Sequence, residues 1–390
     1  MDYKEASLTL HRKLRGKIEM HARVSVTSFD DLATIYSPGV SEPCLEIQKD
    51  SSLSYVYTRR HNTVAVISDG SAVLGLGNIG PEASMPVMEG KAVLFKLLGD
   101  VDAIPLCLKT QNTDEIVQII HALSGSFGGI NLEDISAPRC FEIENRLKAL
   151  CDIPIFHDDQ HGTAVVVMAA VINALKLVHK TPDNIKVVIN GVGAAGTAIA
   201  EALLNYGIKN MILCDKEGIL SKEDSSLSEA HMRMAKRTNP NNLKGTLSNA
   251  IKKADLFIGV SGPNALDIED VKSMNQDAIV FALANPTPEI SYHEAQKAGA
   301  RIVGTGLSNF PNQINNLLAF PGIFRGTLDA NASEINQSMM LAAAKAIAAY
   351  IPQDKLADEY IIPNPLDKAV HYSVAQAVKE SAIQTGVTRK

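Results

Sequence analysis

The stretch KVVINGVGAAGTAIAEALLNYG, residues 186 to 207, decides the fold of this chain. A short apolar run precedes glycines at 191, 193 and 196, and the residues after them have the apolar spacing of a helix. The next apolar run ends in Asp215, nineteen residues after Gly196. This order of strand, glycine turn, helix and acid-terminated strand predicts a βαβ unit that binds a dinucleotide pyrophosphate at the helix N-terminus.

The predicted cofactor-binding residues of this unit are Gly191, Gly193, Ala194, Ala195, Gly196 and Asp215. A carboxylate at position 215 accepts hydrogen bonds from ribose hydroxyls and repels a 2′-phosphate, which favours NAD over NADP. That preference is modest, because Lys216 beside it can reach a 2′-phosphate and make NADP acceptable. Glycines that serve only tight helix packing are the alternative interpretation.

The chain around this unit has the alternating strand and helix pattern of an α/β protein. From Ile185 onward short apolar runs alternate with amphipathic stretches, which predicts a doubly wound parallel sheet of the Rossmann type. Residues 1 to about 155 alternate helical and extended patterns less regularly, which predicts a mixed α/β domain. We therefore expect a first domain over residues 1–155, to which the resemblance given below assigns the substrate, metal and dimerisation contacts. A dinucleotide-binding domain follows over 156–390, with its C-terminal helices packing back.

A second glycine pattern, LGLGNIG at residues 74 to 80, has a different context. It follows TVAVISDGSAVLG, in which Asp69-Gly70 predicts a tight hairpin. Pro81 and Pro86 predict that the following residues stay in a loop, because proline inside a helix removes a donor and clashes with the preceding turn. Its glycines either let the backbone approach a substrate or cofactor, or make a tight turn.

Composition excludes several classes of function. The net charge of −6 is spread along the chain without a basic stripe, so nucleic acid and anionic membranes are poor partners. The first twenty residues lack an apolar signal segment and no run is long enough to cross a bilayer, so we expect a cytoplasmic protein. Five cysteines without a C-x-x-C pair predict reduced, buried thiols.

Two acidic pairs, Glu133-Asp134 and Asp158-Asp159, each follow a short apolar run. Acids at the ends of strands converge on a crevice, where three carboxylates suit Mg²⁺ or Mn²⁺. A helix cap or a solvated turn is the alternative for each pair, and Asp158 or Asp159 can cap a helix that starts near Thr163. The sequence HDDQH also imitates a zinc site, but its first histidine belongs to a strand-like run, which disfavours zinc.

Tyr36 and Lys91 are candidates for proton transfer. Lys91 begins a largely apolar helical run, where burial destabilises its charge and makes it a base near neutral pH. Tyr36 lies between an apolar run and a proline-containing loop, and a nearby tyrosine can donate a proton. A lysine that keeps its charge in water and a tyrosine that only packs are the alternatives.

Seven motifs occur in one order along the chain: YSPGV, ISDGSAVLGLGNIGPEASMPVMEGKA, LEDI, HDDQHGTA, INGVGAAG, FALANPTPE and GLSNFPNQINNLLAFPGIFRG. Together they resemble the malic enzymes, in particular their short bacterial form, from about residue 10 to the end of the chain. The resemblance implies oxidation of L-malate by NAD or NADP, decarboxylation, and protonation of the enolate to pyruvate. Malolactic decarboxylation to lactate with bound NAD is the alternative reaction, and a dinucleotide sensor without turnover is the alternative class.

The resemblance also implies roles for individual residues. Lys91 matches the family's general base and Tyr36 its general acid. Glu133, Asp134 and Asp159 match its ligands for Mg²⁺ or Mn²⁺, and Asp158 would tune Lys91. The residues that match its contacts to malate or nicotinamide are Asn285 and Asn316, with Lys91 also touching substrate.

Two further expectations come with the resemblance. Larger malic enzymes hold a substrate carboxylate with an arginine at the position that is Ala72 here, so another group must take that task. Short relatives are homodimers, and a helical segment over residues 4–25 is the candidate dimer element.

Overall fold

Two separate β-sheets organise the part of the chain that the computed structural model describes, residues 3–73 and 75–389. The first has four parallel strands in the order β2-β1-β3-β4. The second has six in the order β10-β9-β8-β5-β6-β7, parallel except for β7. The strands are β1 Thr63–Ser68, β2 Asp102–Cys107, β3 Gly129–Leu132, β4 Ile155–His157, β5 Lys186–Asn190, β6 Asn210–Asp215, β7 Gly218–Ile219, β8 Leu256–Gly259, β9 Ile279–Ala282 and β10 Ile302–Thr305.

Helices cover the sheets and connect their strands. They are α1 Tyr3–Leu14, α2 Phe29–Ile35, α3 Ser41–Lys49, α4 Ser54–Tyr57, α5 Pro81–Gly99, α6 Thr113–Leu123, α7 Arg139–Leu150, α8 Thr163–Leu177, α9 Ala194–Tyr206, α10 Glu229–Arg237, α11 Leu247–Ile251, α12 Ile268–Lys272, α13 Tyr292–Lys297, α14 Phe320–Asp329, α15 Gln337–Ala349 and α16 Lys368–Thr385. The α/β class with a doubly wound second sheet is confirmed.

One hydrophobic core joins the two sheets. Phe95 of α5 packs on Phe320 and Phe324 of α14, with ring centroids 4.7 and 5.3 Å apart. α14 also packs on α16, and α15 packs on α8. The chain passes from the first sheet to the second after β4, and the domain limits at residues 155 and 156 stay a prediction.

Helix α8 lies between the sheets and is buried along nearly its whole length. The segment Asp158–Leu177, which includes α8, is long and apolar enough to cross a membrane by length and composition. Of its most apolar window, 72% is buried inside the fold. A core helix covered on all sides has this composition, because it has no face on which polar residues would meet water.

The hairpin expected at Asp69-Gly70 is wrong. β1 pairs in parallel with β2 on one side and with β3 on the other, so neither edge is open to a returning strand. The loop expected through Pro86 is wrong as well, since α5 already begins at Pro81. Proline is tolerated at this first helical position, and burial of Met88 and Phe95 stabilises the helix beyond Pro86.

Two other expectations need correction. The helix expected over residues 4–25 ends at Leu14, because Arg15 and Gly16 have φ values of 57° and 125°, outside the helical region. The five cysteines are free, as expected, but only Cys140 and Cys214 are buried, and Cys44 is exposed.

Candidate active site

The carboxyl ends of β3 and β4 bring both acidic pairs together. Glu133 and Asp134 follow β3, and Asp158 and Asp159 follow the neighbouring β4. The strands are parallel, so both end at the same edge of the sheet. The backbone N–H of Asp134 donates to Oδ2 of Asp159 at 2.8 Å, which joins the two pairs directly. Sequence adjacency to two neighbouring strands is therefore enough to create the cluster.

Lys91 reaches this cluster from α5 and is only 9% exposed. Its Nζ donates to Oδ2 of Asp158 at 2.6 Å and lies 2.8 Å from Oε1 of Glu133. The same nitrogen lies 4.3 Å from the centroid of the Phe320 ring, which covers it from the second domain. The lysine is thus held by two carboxylates and an aromatic face instead of extending into water.

Burial and charge shift the proton equilibria of this cluster. Burial by itself lowers the pKa of Lys91, but the negative charges of Asp158 and Glu133 outweigh it and raise the pKa above its ordinary value. Burial, opposed by Lys91, raises the pKa of Asp158 to about 8. The carboxylates therefore keep the proton on Lys91, and the lowered pKa expected from its apolar surroundings alone is wrong.

Glu133, Asp134 and Asp159 meet the requirements of a divalent cation site. Each offers one oxygen, and these three atoms lie within 4.8 Å of one another. Burial and the charges of Asp159 and Glu133 raise the pKa of Asp134 to about 9. Its Oδ2 is buried without a hydrogen-bond partner. An orphaned oxygen among like charges fits a hard, doubly charged ion such as Mg²⁺ or Mn²⁺.

The HDDQH stretch forms a π-helical turn, Asp158–Gly162, that leads into α8. Neither aspartate caps α8, whose N-cap residue is Gly162, because one binds Lys91 and the other accepts from Asp134. His161 pairs with Glu144 at 2.7 Å, whereas burial lowers the pKa of His157 to about 4. Among the described residues, neither histidine belongs to the group of side chains that could hold a metal ion, which disfavours zinc further.

The glycine turn between β5 and α9 has the shape that a pyrophosphate needs. Gly191 has a φ of 108°, and a side chain there would lie 2.5 Å from the carbonyl oxygen of Val260. A side chain at Gly196 would overlap the carbonyl of Gly191, so this glycine sets the close approach of α9 to the turn. By contrast, a Cβ on Gly193 would meet nothing within 4 Å, which leaves open space before the helix N-terminus. Ala194 and Ala195 are the first residues of α9. Asp215 is the last residue of β6, the strand that pairs with β5.

The first glycine pattern lies between the two sheets. Gly75 approaches the loop after β9, where a Cβ would lie 3.3 Å from Cδ of Pro286 and 3.7 Å from the carbonyl oxygen of Asn285. Asn316, which lies shortly before α14, is near Gly162. The Cβ of Asn316 is 3.3 Å from the position that a Cβ added to Gly162 would occupy. The loop after β9 therefore lies against the first glycine pattern, and Asn316 lies against the turn that carries Asp158 and Asp159. The pattern also precedes a helix and a parallel strand, since α5 and β2 follow it.

Tyr36 is the one predicted catalytic residue that lies apart from the cluster. It follows α2 and is 70% exposed. Between Tyr36 and the acidic residues or Lys91, the described part of the chain contains no hydrogen bond or ion pair. None of residues 3–61 is fully buried, so Tyr36 belongs to a segment in which every residue is at least partly exposed.

Sequence reasoning missed three residues that support the site. Asn131 donates to Oε2 of Glu133 at 2.8 Å; the two-residue period of β3, which puts both on one face, could have revealed it. Phe320 covers Lys91, and no sequence pattern links them. Glu289 is buried and accepts from the N–H of Ser261 at 2.8 Å and of Ala284 at 3.1 Å, which joins the loops after β8 and β9.

Two family models match the chain. The one described as "Malic enzyme, NAD binding domain" matches residues 160–383. The one described as "Malic enzyme, N-terminal domain" matches residues 15–115 and 109–148. Together they cover every strand except β4 and every predicted site residue except Asp158 and Asp159, which lie with β4 between the two matches.

Curated relatives and solved structures agree with these models. The chain is 55% identical to the NAD-dependent malic enzyme of Geobacillus stearothermophilus over 96% of its own length and 78% of that protein. It is 52% identical to the bifunctional malic/malolactic enzyme of Bacillus subtilis, over 100% and 95%. The crystal structure of malic enzyme from Pyrococcus horikoshii is 47% identical, with a TM-score of 0.95 over 100% of this chain and 92% of that one.

Proposed function

The chain belongs to the malic enzyme family, and from that premise we propose how its residues carry the reaction. It is an NAD(P)-dependent oxidoreductase that converts L-malate to pyruvate and CO₂ with Mg²⁺ or Mn²⁺. The observation that carries the assignment of residues is the contact of Lys91 with both acidic pairs at one sheet edge. That arrangement combines a proton carrier with a cation site, which oxidation and decarboxylation of a hydroxy acid both require.

Glu133, Asp134 and Asp159 would hold the divalent cation. When bound, the ion supplies Lewis acidity that withdraws electrons from the malate oxygens while CO₂ leaves. The N–H of Asp134 keeps Asp159 in position, and Asn131 does the same for Glu133, so two of the three carboxylates are oriented before substrate arrives. Burial of Glu133 and Asp134 keeps water from competing for their oxygens.

Lys91 and Asp158 act as a pair in proton transfer. For Lys91 to accept the C2 hydroxyl proton of malate, it must first release its own proton. Asp158 is 2.6 Å away and is placed to receive that proton once the negative charges that hold it on Lys91 are offset in the loaded site. We propose that Asp158 thereby returns Lys91 to the neutral amine, and that Phe320 keeps the pair away from solvent.

The cofactor lies along the glycine turn between β5 and α9. Gly191, Gly193, Ala194, Ala195 and Gly196 would receive the pyrophosphate, and Asp215 the ribose. Open space at Gly193 supports this assignment. Asn285 would bind nicotinamide or malate, and Asn316 malate. Asn285 lies beside the first glycine pattern, and Asn316 beside the turn that carries Asp158 and Asp159.

Tyr36 completes the cycle as the acid that protonates the enol carbon, and we connect this role with a homodimer. The segment 3–61 exposes apolar side chains such as Leu8, Phe29 and Val56, which a second copy would cover. Burial of Tyr36 by that contact would keep its proton for the enol instead of bulk water. Light scattering gives the oligomeric state, and replacement of Tyr36 by Phe should slow pyruvate formation while leaving hydride transfer measurable in a single turnover.

A second reaction deserves the same test, because the Bacillus subtilis relative carries the name malic/malolactic enzyme. The decisive experiment follows the absorbance of reduced nicotinamide with L-malate and Mn²⁺, in parallel with NAD and with NADP, and then measures pyruvate and lactate. Reduced nicotinamide that matches pyruvate supports oxidative decarboxylation. Malate consumption with lactate and no free reduced cofactor would replace it with the malolactic reaction.

We also propose a cytoplasmic location. Support comes from the five cysteines, all of which are free, as thiols remain in a reducing compartment. Labelling of Cys44, the exposed thiol, in intact and in opened cells would separate a cytoplasmic from an external location.

A further inference from the structure

Helix α10 lies in the polar stretch between β6 and α11 and has no part in the reaction described so far. Its His231 contacts both halves of the cofactor site. Nε2 of His231 lies 3.2 Å from the carbonyl oxygen of Val192, inside the glycine turn. Nδ1 lies 4.0 Å from Oδ2 of Asp215, the carboxylate that would receive the adenosine ribose.

Several contacts fix His231 in this place. Ser228 caps α10 by accepting from the N–H of His231 at 3.2 Å. Met234 and Ala235 anchor the helix in the core. Oε1 of Glu201 on α9 lies 3.4 Å from Nη1 of Arg237 and 3.6 Å from Nη2 of Arg233. These ion pairs connect α10 to the helix that follows the glycine turn.

The contact with Val192 determines the tautomer of the ring. A carbonyl oxygen only accepts, so the hydrogen bond requires a proton on Nε2. In the neutral ring Nδ1 is then a bare acceptor that faces a second acceptor, Oδ2 of Asp215. Protonation of the ring puts a donor and a positive charge on the Asp215 side without disturbing the bond to Val192.

We propose that His231 is a positioning residue for cofactor choice, which makes the discrimination between NAD and NADP depend on pH through Asp215. The proposal rests on the cofactor site proposed above. With a neutral ring, Asp215 keeps its full negative charge, accepts from the ribose hydroxyls and repels a 2′-phosphate. With a protonated ring, the pair has no net charge and the 2′-phosphate is tolerated.

Other charged groups around the ring do not supply this effect. Asp215 is the only carboxylate within 4.0 Å of the ring in the part of the chain that the structure describes. On the α9 side the charge of Glu201 faces Arg233 and Arg237. Glu229 lies on α10 itself, and Lys216 and Glu217 follow β6, where they pair with each other at 3.8 Å and are largely exposed.

The test measures the dissociation constants of NADH and NADPH between about pH 5 and pH 8. Malate and metal are left out, so the readout is binding alone. The chain has no tryptophan, which lets the fluorescence of the nucleotide report the titration without transfer from the protein. The quantity compared is the ratio of the NADPH constant to the NADH constant.

His231→Gln is the matched variant, because the glutamine amide can still donate to Val192 and never acquires a charge. We expect the ratio in the natural protein to fall toward acid by about fivefold more than in His231→Gln, which is the order of magnitude for one unit charge a few Å from the 2′-phosphate in water. The 2′-phosphate itself takes up a proton in this range, but it does so equally with both proteins. His231→Arg should hold the ratio at its acid value throughout.

Identical ratio curves for the natural protein and His231→Gln, with NADH still bound, would overturn the role of His231 and leave the cofactor site standing. Failure of both nucleotides to bind the natural protein would overturn the cofactor site and this inference together. If His231→Gln does not fold, His231→Asn gives the same decision, since it also lacks an ionisable ring. An extra dependence on pH that persists in His231→Asn contradicts the proposal.

Discussion

Replacement of Lys91 by methionine tests the balance of charge in the active site. Lys91 is the cation in direct contact with Asp158 and Glu133, both nearly or fully buried. Methionine keeps the length of the side chain and removes the charge, which leaves these carboxylates uncompensated. Breaking a buried ion pair from one side costs about 3–5 kcal/mol of stability. We expect a loss of this size in protein stripped of divalent cations by a chelator.

The same replacement should strengthen metal binding. Nζ lies 2.8 Å from Oε1 of Glu133, and a metal–carboxylate bond is about 2.1 Å, so a lysine and an ion that share this oxygen are about 5 Å apart or less. A unit and a double charge at about 5 Å repel by about 1.7 kcal/mol even with the dielectric constant of water, and by more inside a protein. Calorimetry without substrate should therefore show at least about tenfold tighter Mn²⁺ binding to Lys91→Met.

Lys96→Met is the matched control. Lys96 lies on the same helix, but it is half exposed and pairs with Asp100 and Asp102 at the surface. Its replacement should change stability by no more than about 1 kcal/mol and should leave Mn²⁺ affinity unchanged. If Lys91→Met bound Mn²⁺ more weakly than the natural protein, or lost no more stability than Lys96→Met, the reasoning that Lys91 and the metal neutralise the same carboxylates would be refuted.

Three further predictions concern the metal and the cofactor. Burial and neighbouring charges raise the pKa of Asp134 to about 9, well above its value in an unfolded chain. Between about pH 4 and pH 9 the folded protein without metal therefore holds a proton that the unfolded chain has lost. The stability of the metal-free protein should fall as pH rises through this interval. Mn²⁺ must displace that proton, and calorimetry should show affinity rising by up to about tenfold per pH unit, a slope that Asp134→Asn should reduce. Asp159→Ala should abolish Mn²⁺-dependent turnover and Mn²⁺ binding alike; full activity in a chelator would remove this residue from the site. Gly193→Val, at an ordinary backbone conformation with open space for the side chain, should fold with an unchanged melting temperature yet bind NADH at least about tenfold more weakly, and unchanged binding would argue against the glycine turn as the pyrophosphate site.

Local sequence patterns determined much of the second domain. The run of β5, the glycines of the turn and the apolar spacing of α9 are consecutive in the chain, so their pattern predicts the unit without knowledge of the rest. The acidic pairs were predictable for a related reason. They follow two strands that end at the same sheet edge, and adjacency of parallel strands brings them together.

Patterns failed where distant residues decide the outcome. Asp69-Gly70 has the local chemistry of a hairpin, but β1 is already paired on both sides by β2 and β3, which come later in the chain. Pro86 has the local chemistry of a helix end, but packing of α5 on the core outweighs it. In both cases tertiary contacts overrode a local preference of a few kcal/mol at most.

The sequence by itself thus determined the α/β class, the family to which the chain belongs and the residue types that its chemistry uses. Tertiary structure alone decided the electrostatic state of the site. An apolar neighbourhood in sequence suggested a lysine that releases its proton readily, whereas the folded chain surrounds Lys91 with Asp158 and Glu133 and raises its pKa. The link of His231 to Asp215 has the same origin. Coulomb energy depends on separation in space, and only the packing of helices on sheets sets that separation.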